Sequence, residues 1–137
     1  MANHISVLVV EDQHDAREML AEYLAFCGFA VHEAQDGFEA FDVAVRERPD
    51  VVLMDLMMPR LDGWEATRRL KADERTKRSS VIAVSAYSQT DERQSARQAG
   101  CDAFIPKPYD LEQLAEAVRN AVRADSCVGR RTRGHCG

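Results

Sequence analysis

Five side chains able to take part in chemistry stand at the ends of short apolar runs. Glu11 and Asp12 follow the run 5–10, and Asp55 follows 51–54. Ser85 lies at the end of 81–86, and Lys107 follows 103–105 between Pro106 and Pro108. Carboxylates brought together repel one another, and their proton affinities rise unless a cation lies among them. A hard, oxygen-seeking divalent ion meets that need, and magnesium takes a few carboxylates while keeping several waters. A hydroxyl and an ammonium on the same rim would complete the parts for moving a phosphoryl group, a reaction dominated by positioning and charge stabilisation. Taken singly, each residue has an ordinary alternative. A lone Ser or Lys is more often structural or solvated, and Asp12, just ahead of a helix expected near Asp15, is also placed to be its N-cap.

The elements that must position these residues follow from the hydrophobic pattern. The runs 5–10, 51–54 and 81–86 are too short for helices and rich in β-branched residues, as strands buried on both faces are. Weaker strands are expected at 29–34, where Val31, His32, Glu33 and Ala34 alternate as on a sheet edge, and at 103–105. Helical stripes lie between them: Ala16, Met19, Leu20, Tyr23, Leu24 and Cys27; then Phe38, Phe41, Ala44 and Val45; and later Leu111, Leu114, Val118, Ala121 and Val122. Segments 63–71 and 91–99 have thinner apolar faces. Gly28 and Gly100 stand where C-terminal caps belong, and Ser88 with Asp91 resembles a capping box. Five strands alternating with five helices predict an α/β fold, a parallel sheet wound on both sides, because parallel neighbours need crossovers. Sites in such sheets form beyond the carboxyl ends of the strands, where all five residues fall.

Composition narrows the function. A chain of 137 residues, 45% hydrophobic and 30% charged, suits one domain with a real core. The net charge of −5 divides unevenly, since residues 125–137 carry three Arg and one Asp, leaving −7 for the rest. An acidic body without a groove-reading motif predicts no direct nucleic-acid partner. No apolar stretch is long enough to span a bilayer, so no membrane insertion is expected, and no signal peptide is visible. Cys27, Cys101, Cys127 and Cys136 form no CxxC pair, which points to free thiols in a reducing, cytoplasmic setting.

The ordered segments VLVVED, VVLMDLMMPRLDG, VIAVSA and FIPKP together resemble the receiver domain of two-component response regulators, the CheY-like superfamily. The likeness covers residues 4–124 and is specific because separate motifs agree in order, spacing and strand context. It implies a flavodoxin-like five-stranded sheet in the order 2-1-3-4-5, for which the handedness and ligand-site rules of doubly wound folds hold.

By similarity, Asp55 is the phosphorylated residue, taking the phosphoryl group from a sensor histidine kinase or a histidine phosphotransfer protein. Glu11 and Asp12 would hold magnesium, with manganese as the alternative ion, and Asp55 and the backbone carbonyl of Met57 would complete the protein's ligands. Lys107 and Ser85 would each bind a phosphoryl oxygen. The Lys107–Pro108 peptide is expected in cis, an isomer that proline makes accessible, against an ordinary trans turn. Phe104 occupies the aromatic switch position coupled to Ser85, or else is a permanently buried strand residue. Met57 and Tyr87, two residues beyond Asp55 and Ser85, either tune the lifetime of the phosphorylated form or simply pack. Pro59 and Gly63 shape the loop after Asp55, and Trp64 covers part of the sheet or stays half exposed. Signalling would pass to a downstream protein through the face made by the fourth helix, fifth strand and fifth helix. The module would catalyse only its own phosphorylation and dephosphorylation, rather than act as an enzyme on other substrates.

Three rivals share parts of this pattern. A haloacid-dehalogenase-type phosphatase also uses an aspartyl nucleophile, but it wants an acid-base Asp two positions later, where this chain has Met57. A flavodoxin-like cofactor carrier needs a hydroxyl- and glycine-rich loop after the first strand, where Glu11 and Asp12 would repel phosphate. A scaffold that has lost the chemistry would not need the acid pair, Asp55, Ser85 and Lys107. Residues 125–137 are expected to form a flexible basic tail after a receiver domain over 1–124, and Cys127, His135 and Cys136 match no standard zinc spacing. No output domain follows in this sequence, so a stand-alone regulator or a receiver fragment of a longer protein is expected.

Overall fold

A computed structural model describes residues 5–55, 63–85, 100–107 and 109–131, with backbone alone at 63 and over 123–131. The order is β1 (Ser6–Val10), α1 (His14–Phe26), β2 (Ala30–Ala34), α2 (Gly37–Glu47), β3 (Val51–Asp55), α3 (Gly63–Ala72), β4 (Ser80–Ser85), β5 (Ala103–Pro106) and α4 (Leu111–Arg131). Here α4 is the fifth helical segment expected from the sequence. The expected helix at 91–99, with Ser88 and Asp91, lies outside the described residues. The strands form one parallel sheet in the order β2-β1-β3-β4-β5, as the family resemblance implied.

Side chains of successive strand residues point to opposite faces, and this alternation sorts the core into two layers. Leu8, Val10, Val52, Met54, Val81 and Ala83 pack with Ala40, Val43, Ala44, Ala66 and Leu70 of α2 and α3. Val7, Val9, Val51, Leu53, Ile82, Val84 and Ile105 pack on the other face with Leu20, Leu24, Leu114, Ala115 and Val118 of α1 and α4. Burying each large aliphatic side chain stabilises the fold by about 1.5–3 kcal/mol. Both faces of β1, β3 and β4 are therefore covered, which explains their unbroken apolar sequences.

Two helices pack most of their predicted stripes on the sheet, with Tyr23, Cys27 and Phe41 partly buried against the core, but each turns one large stripe residue outward. In α1 the buried residues are Leu20, Ala21 and Leu24, while Met19 is 50% exposed. In α2 the buried residues are Gly37, Ala40, Val43 and Ala44, while Phe38 is 45% exposed. Alanines let α2 lie close to the sheet, and the Phe38 ring sits at the rim, 5.9 Å from the Arg69 guanidinium carbon. In α3 the thin apolar face is completed by Thr67, fully buried beside Leu70. Trp64 is half-buried and packs on the same layer.

The helix ends follow local chemistry. Asp36 caps α2 by accepting from the Glu39 backbone N–H at 2.9 Å. The N-cap of α1 is Gln13, so the alternative reading of Asp12 as the helix cap does not hold. Gly28, directly after the Cys27 C-cap of α1, has a positive φ of +100°, in agreement with its expected capping place. Gly100 also has a positive φ, +107°, and the helix it was expected to cap lies outside the described residues. The helix α4 runs on to Arg131, into the segment expected as a tail from 125, and residues 132–137 of that tail lie outside the described residues. Among the described residues no helix is long and apolar enough to cross a membrane.

Candidate functional site

Register brings the acids together. Val10 pairs with Met54 across β1 and β3, so one step further along both strands Glu11 stands beside Asp55. Each continues the row of strand residues that faces α1 and α4. With Asp12 they form a cluster in which one carboxylate oxygen from each residue lies within 4.8 Å of the others. Glu11 is 6% exposed and Asp55 5% exposed, so water does little to screen their mutual repulsion. Burial first, and the Asp55 charge second, push the Glu11 carboxyl up to about 7. Tyr109 lines the pocket beneath them with Val9, Leu20, Leu53, Val84 and Leu114, and its hydroxyl is raised by burial and by the charges of Glu11 and Asp55.

Lys107 supplies the opposing charge, its Nζ 3.3 Å from Asp55 Oδ2. It is positioned by the end of β5, where its backbone N–H donates to the Ser85 carbonyl at 2.7 Å. Ser85 itself is fully buried, one residue beyond Val84, the register partner of Asp55. By alternation its side chain falls on the α2–α3 side of the sheet. Phe104 is half-buried, pairs with Ala83 and packs on that same layer, so ring and hydroxyl share a face. Sequence-predicted Glu11, Asp12, Asp55 and Lys107 are thus one cluster, with Ser85 at its margin. Met57, Pro59, Tyr87 and Pro108 lie outside the described residues.

Two residues that spacing did not single out also belong to this rim. Tyr109 is one; its signal was an aromatic side chain directly after the Lys-Pro pair. The other is Arg17, on the first turns of α1, which donates from Nη1 to the Glu11 backbone carbonyl at 2.9 Å. Nothing in helical periodicity marks it, because it lies outside the apolar stripe. A second acid-rich group, His14, Asp15 and Glu18, is exposed. The Arg17 guanidinium lies 3.1 Å from His14 Nδ1, a poor neighbour for another cation.

The oxygen-only donor set of Glu11, Asp12 and Asp55, two of them buried, fits a hard divalent ion of magnesium's type. Among the described residues no thiol joins this group, and burial pushes the Cys101 thiol up to about 11.

Comparison with known proteins decides the family: the response regulator receiver domain matches residues 7–119. The chain belongs to this family. Receivers are the signal-transduction modules of two-component systems, which work with histidine kinases. Among curated relatives, the response regulator MprA of Mycobacterium sp. (strain KMS) is 40% identical over 124 residues, covering 89% of this chain and 52% of the relative. MprA of Mycobacterium leprae (strain TN) is 38% identical over 119 residues, covering 85% and 50%. This receiver chain therefore spans about half the length of the curated relatives it matches. Among solved structures, chemotaxis protein CheY4 of Vibrio cholerae superposes with a TM-score of 0.83 at 25% identity, over 87% of this chain and 99% of that one. The receiver domain of sensor histidine kinase PA1611 from Pseudomonas aeruginosa PAO1 does so with a TM-score of 0.81 at 30% identity, over 88% and 99%. That structure carries a magnesium ion coordinated in its active-site cleft.

Proposed function

We propose that this receiver is a phosphorylation-dependent switch whose acceptor is Asp55, loaded by a sensor histidine kinase or histidine phosphotransfer protein. The observation that carries the proposal is the meeting of Glu11, Asp12 and Asp55 within 4.8 Å, with Lys107 Nζ 3.3 Å from the acceptor carboxylate. Glu11 and Asp12, with Asp55, would hold magnesium. When bound, the ion would supply positive charge that offsets the repulsion between the acceptor carboxylate and an incoming phosphoryl group.

The chain's own residues do the rest. A carboxylate oxygen of Asp55 forms the new O–P bond while the P–N bond to the donor imidazole breaks, and the bonding pair leaves on the imidazole nitrogen. The product is an acyl phosphate on Asp55. Lys107, already oriented by its backbone bond to Ser85, pairs with the charge that the phosphoryl group brings. Ser85 donates its hydroxyl to a phosphoryl oxygen, and Phe104, on the same face, responds by moving inward and altering the surface near β5 and α4. A downstream protein reads that surface. The chemistry is limited to the module's own loading and hydrolysis, so it is a signalling element rather than an enzyme with external turnover.

The test is intact-mass measurement after incubation with magnesium and a small phosphoryl donor. One added phosphoryl group is expected in the wild type and none in Asp55→Asn or without magnesium. Labelling that survives the substitution, or that ignores chelation, overturns the assignment.

A further inference from the structure

The acid loop must hold two carboxylates against a third before any cation arrives, and one side chain braces it from outside. Arg17, whose side chain is only 13% exposed, reaches three groups at once. Its Nη1 donates to the Glu11 carbonyl at 2.9 Å, its Nε to Glu33 Oε1 at 3.3 Å, and its Nη2 lies 3.1 Å from His14 Nδ1. Glu33 belongs to the edge strand β2, so the guanidinium ties the metal-side loop to the sheet edge and to the start of α1. Two further bonds hold the loop: the Glu11 N–H donates to the carbonyl of Ala34 at the end of β2 at 3.1 Å, and the Gln13 N–H donates locally to Glu11 Oε2 at 3.2 Å.

We propose that Arg17, anchored by Glu33, is a positioning residue that preorganises Glu11 and Asp12 for the divalent cation. It grips the backbone of Glu11 and leaves that carboxylate to the ion. The planar fork suits the task, because one guanidinium can donate in several fixed directions while an ammonium is a point charge. This inference rests on the magnesium-site proposal above, and its test separates the two.

Position and charge predict opposite signs. If Arg17 acted only as a nearby positive charge, its removal would tighten magnesium binding; if it braces the loop, removal weakens binding. Supports that orient metal ligands are typically worth ten- to a hundredfold in affinity, so Arg17→Ala should weaken magnesium binding about tenfold. Arg17→Lys, which keeps the charge and loses the fork, should weaken it by about half as much on a logarithmic scale. Glu33→Ala should weaken binding about threefold in the wild-type background and not at all in Arg17→Ala, since coupled residues are not additive.

The experiment is a magnesium titration of the full chain followed by amide NMR shifts of Asp12 and Gln13 at fixed ionic strength, with urea unfolding to show that each variant is folded. Tighter or unchanged binding in Arg17→Ala overturns the proposal, as does a Glu33→Ala effect that persists in the Arg17→Ala background. Should Arg17→Ala not fold, Arg17→Lys and Glu33→Ala still decide between fork and charge. A wild type that does not respond to magnesium would overturn the metal site and this inference together, whereas a wild type that binds beside an indifferent Arg17→Ala overturns the inference alone.

Discussion

Glu11 makes the metal-free receiver pay for its own site, and pH exposes the cost. The carboxyl titrates at about 7 in the folded chain against 4.5 ordinarily, because it is buried and faces Asp55. Between these values the folded state holds a proton that the unfolded state has released. Stability is therefore unpenalised below the ordinary value and falls as pH rises through the folded one. Each pH unit of separation is worth about 1.4 kcal/mol, so the penalty approaches about 3 kcal/mol above neutrality. Glu11→Gln removes the titrating group and should flatten this part of the profile. Urea unfolding in the presence of a chelator, at about pH 5 and about pH 8, measures it: the variant should gain on the wild type by up to about 3 kcal/mol at the higher pH. Asp55→Asn should recover only part of this, since burial is the larger cause. Added magnesium should restore the wild type at high pH and leave Glu11→Gln almost unmoved. Parallel profiles for wild type and Glu11→Gln would refute the reasoning.

Other substitutions probe the frame. Gly28 and Gly100 share a positive φ, but a Cβ at Gly28 meets open space while one at Gly100 would lie 2.9 Å from Lys71 Cγ. Thermal unfolding should show Gly28→Ala costing about 1 kcal/mol and Gly100→Ala clearly more, about 2–3 kcal/mol. Asp102→Ala should cost about 2 kcal/mol in urea unfolding, because Asp102 Oδ2 accepts from the Val81 N–H at 2.7 Å and pairs with Lys71 Nζ at 2.9 Å. Lys107→Ala should destabilise the metal-free protein by about 1–2 kcal/mol and be nearly neutral in an Asp55→Asn background, as a double-mutant cycle would reveal.

The sheet was legible because β1, β3 and β4 are covered on both faces, and only unbroken apolar runs suit that place. β2 and β5 carry weaker patterns because each has a single neighbouring strand. The strand-end acids could be listed from sequence, but their meeting depends on the register Val10↔Met54, which no local pattern encodes. Helix faces were less legible. Size misled at Met19 and Phe38, since α2 approaches the sheet on Ala40 and Ala44 and leaves its aromatic ring at the rim. Arg17 could not be seen at all: it grips a backbone carbonyl and a β2 carboxylate, partners that only the folded chain brings within reach. A basic, glycine-containing sequence suggested a tail from residue 125, where the backbone stays helical to Arg131.

The most direct measurement is chemical trapping of the loaded residue. An acyl phosphate is reduced by borohydride to an alcohol, so peptide mapping of chain loaded in magnesium should find Asp55 converted to homoserine and every other carboxylate intact. Reduction at Glu11 or Asp12 instead, or a stable phosphate on Ser85, would contradict the assignment of Asp55 as acceptor.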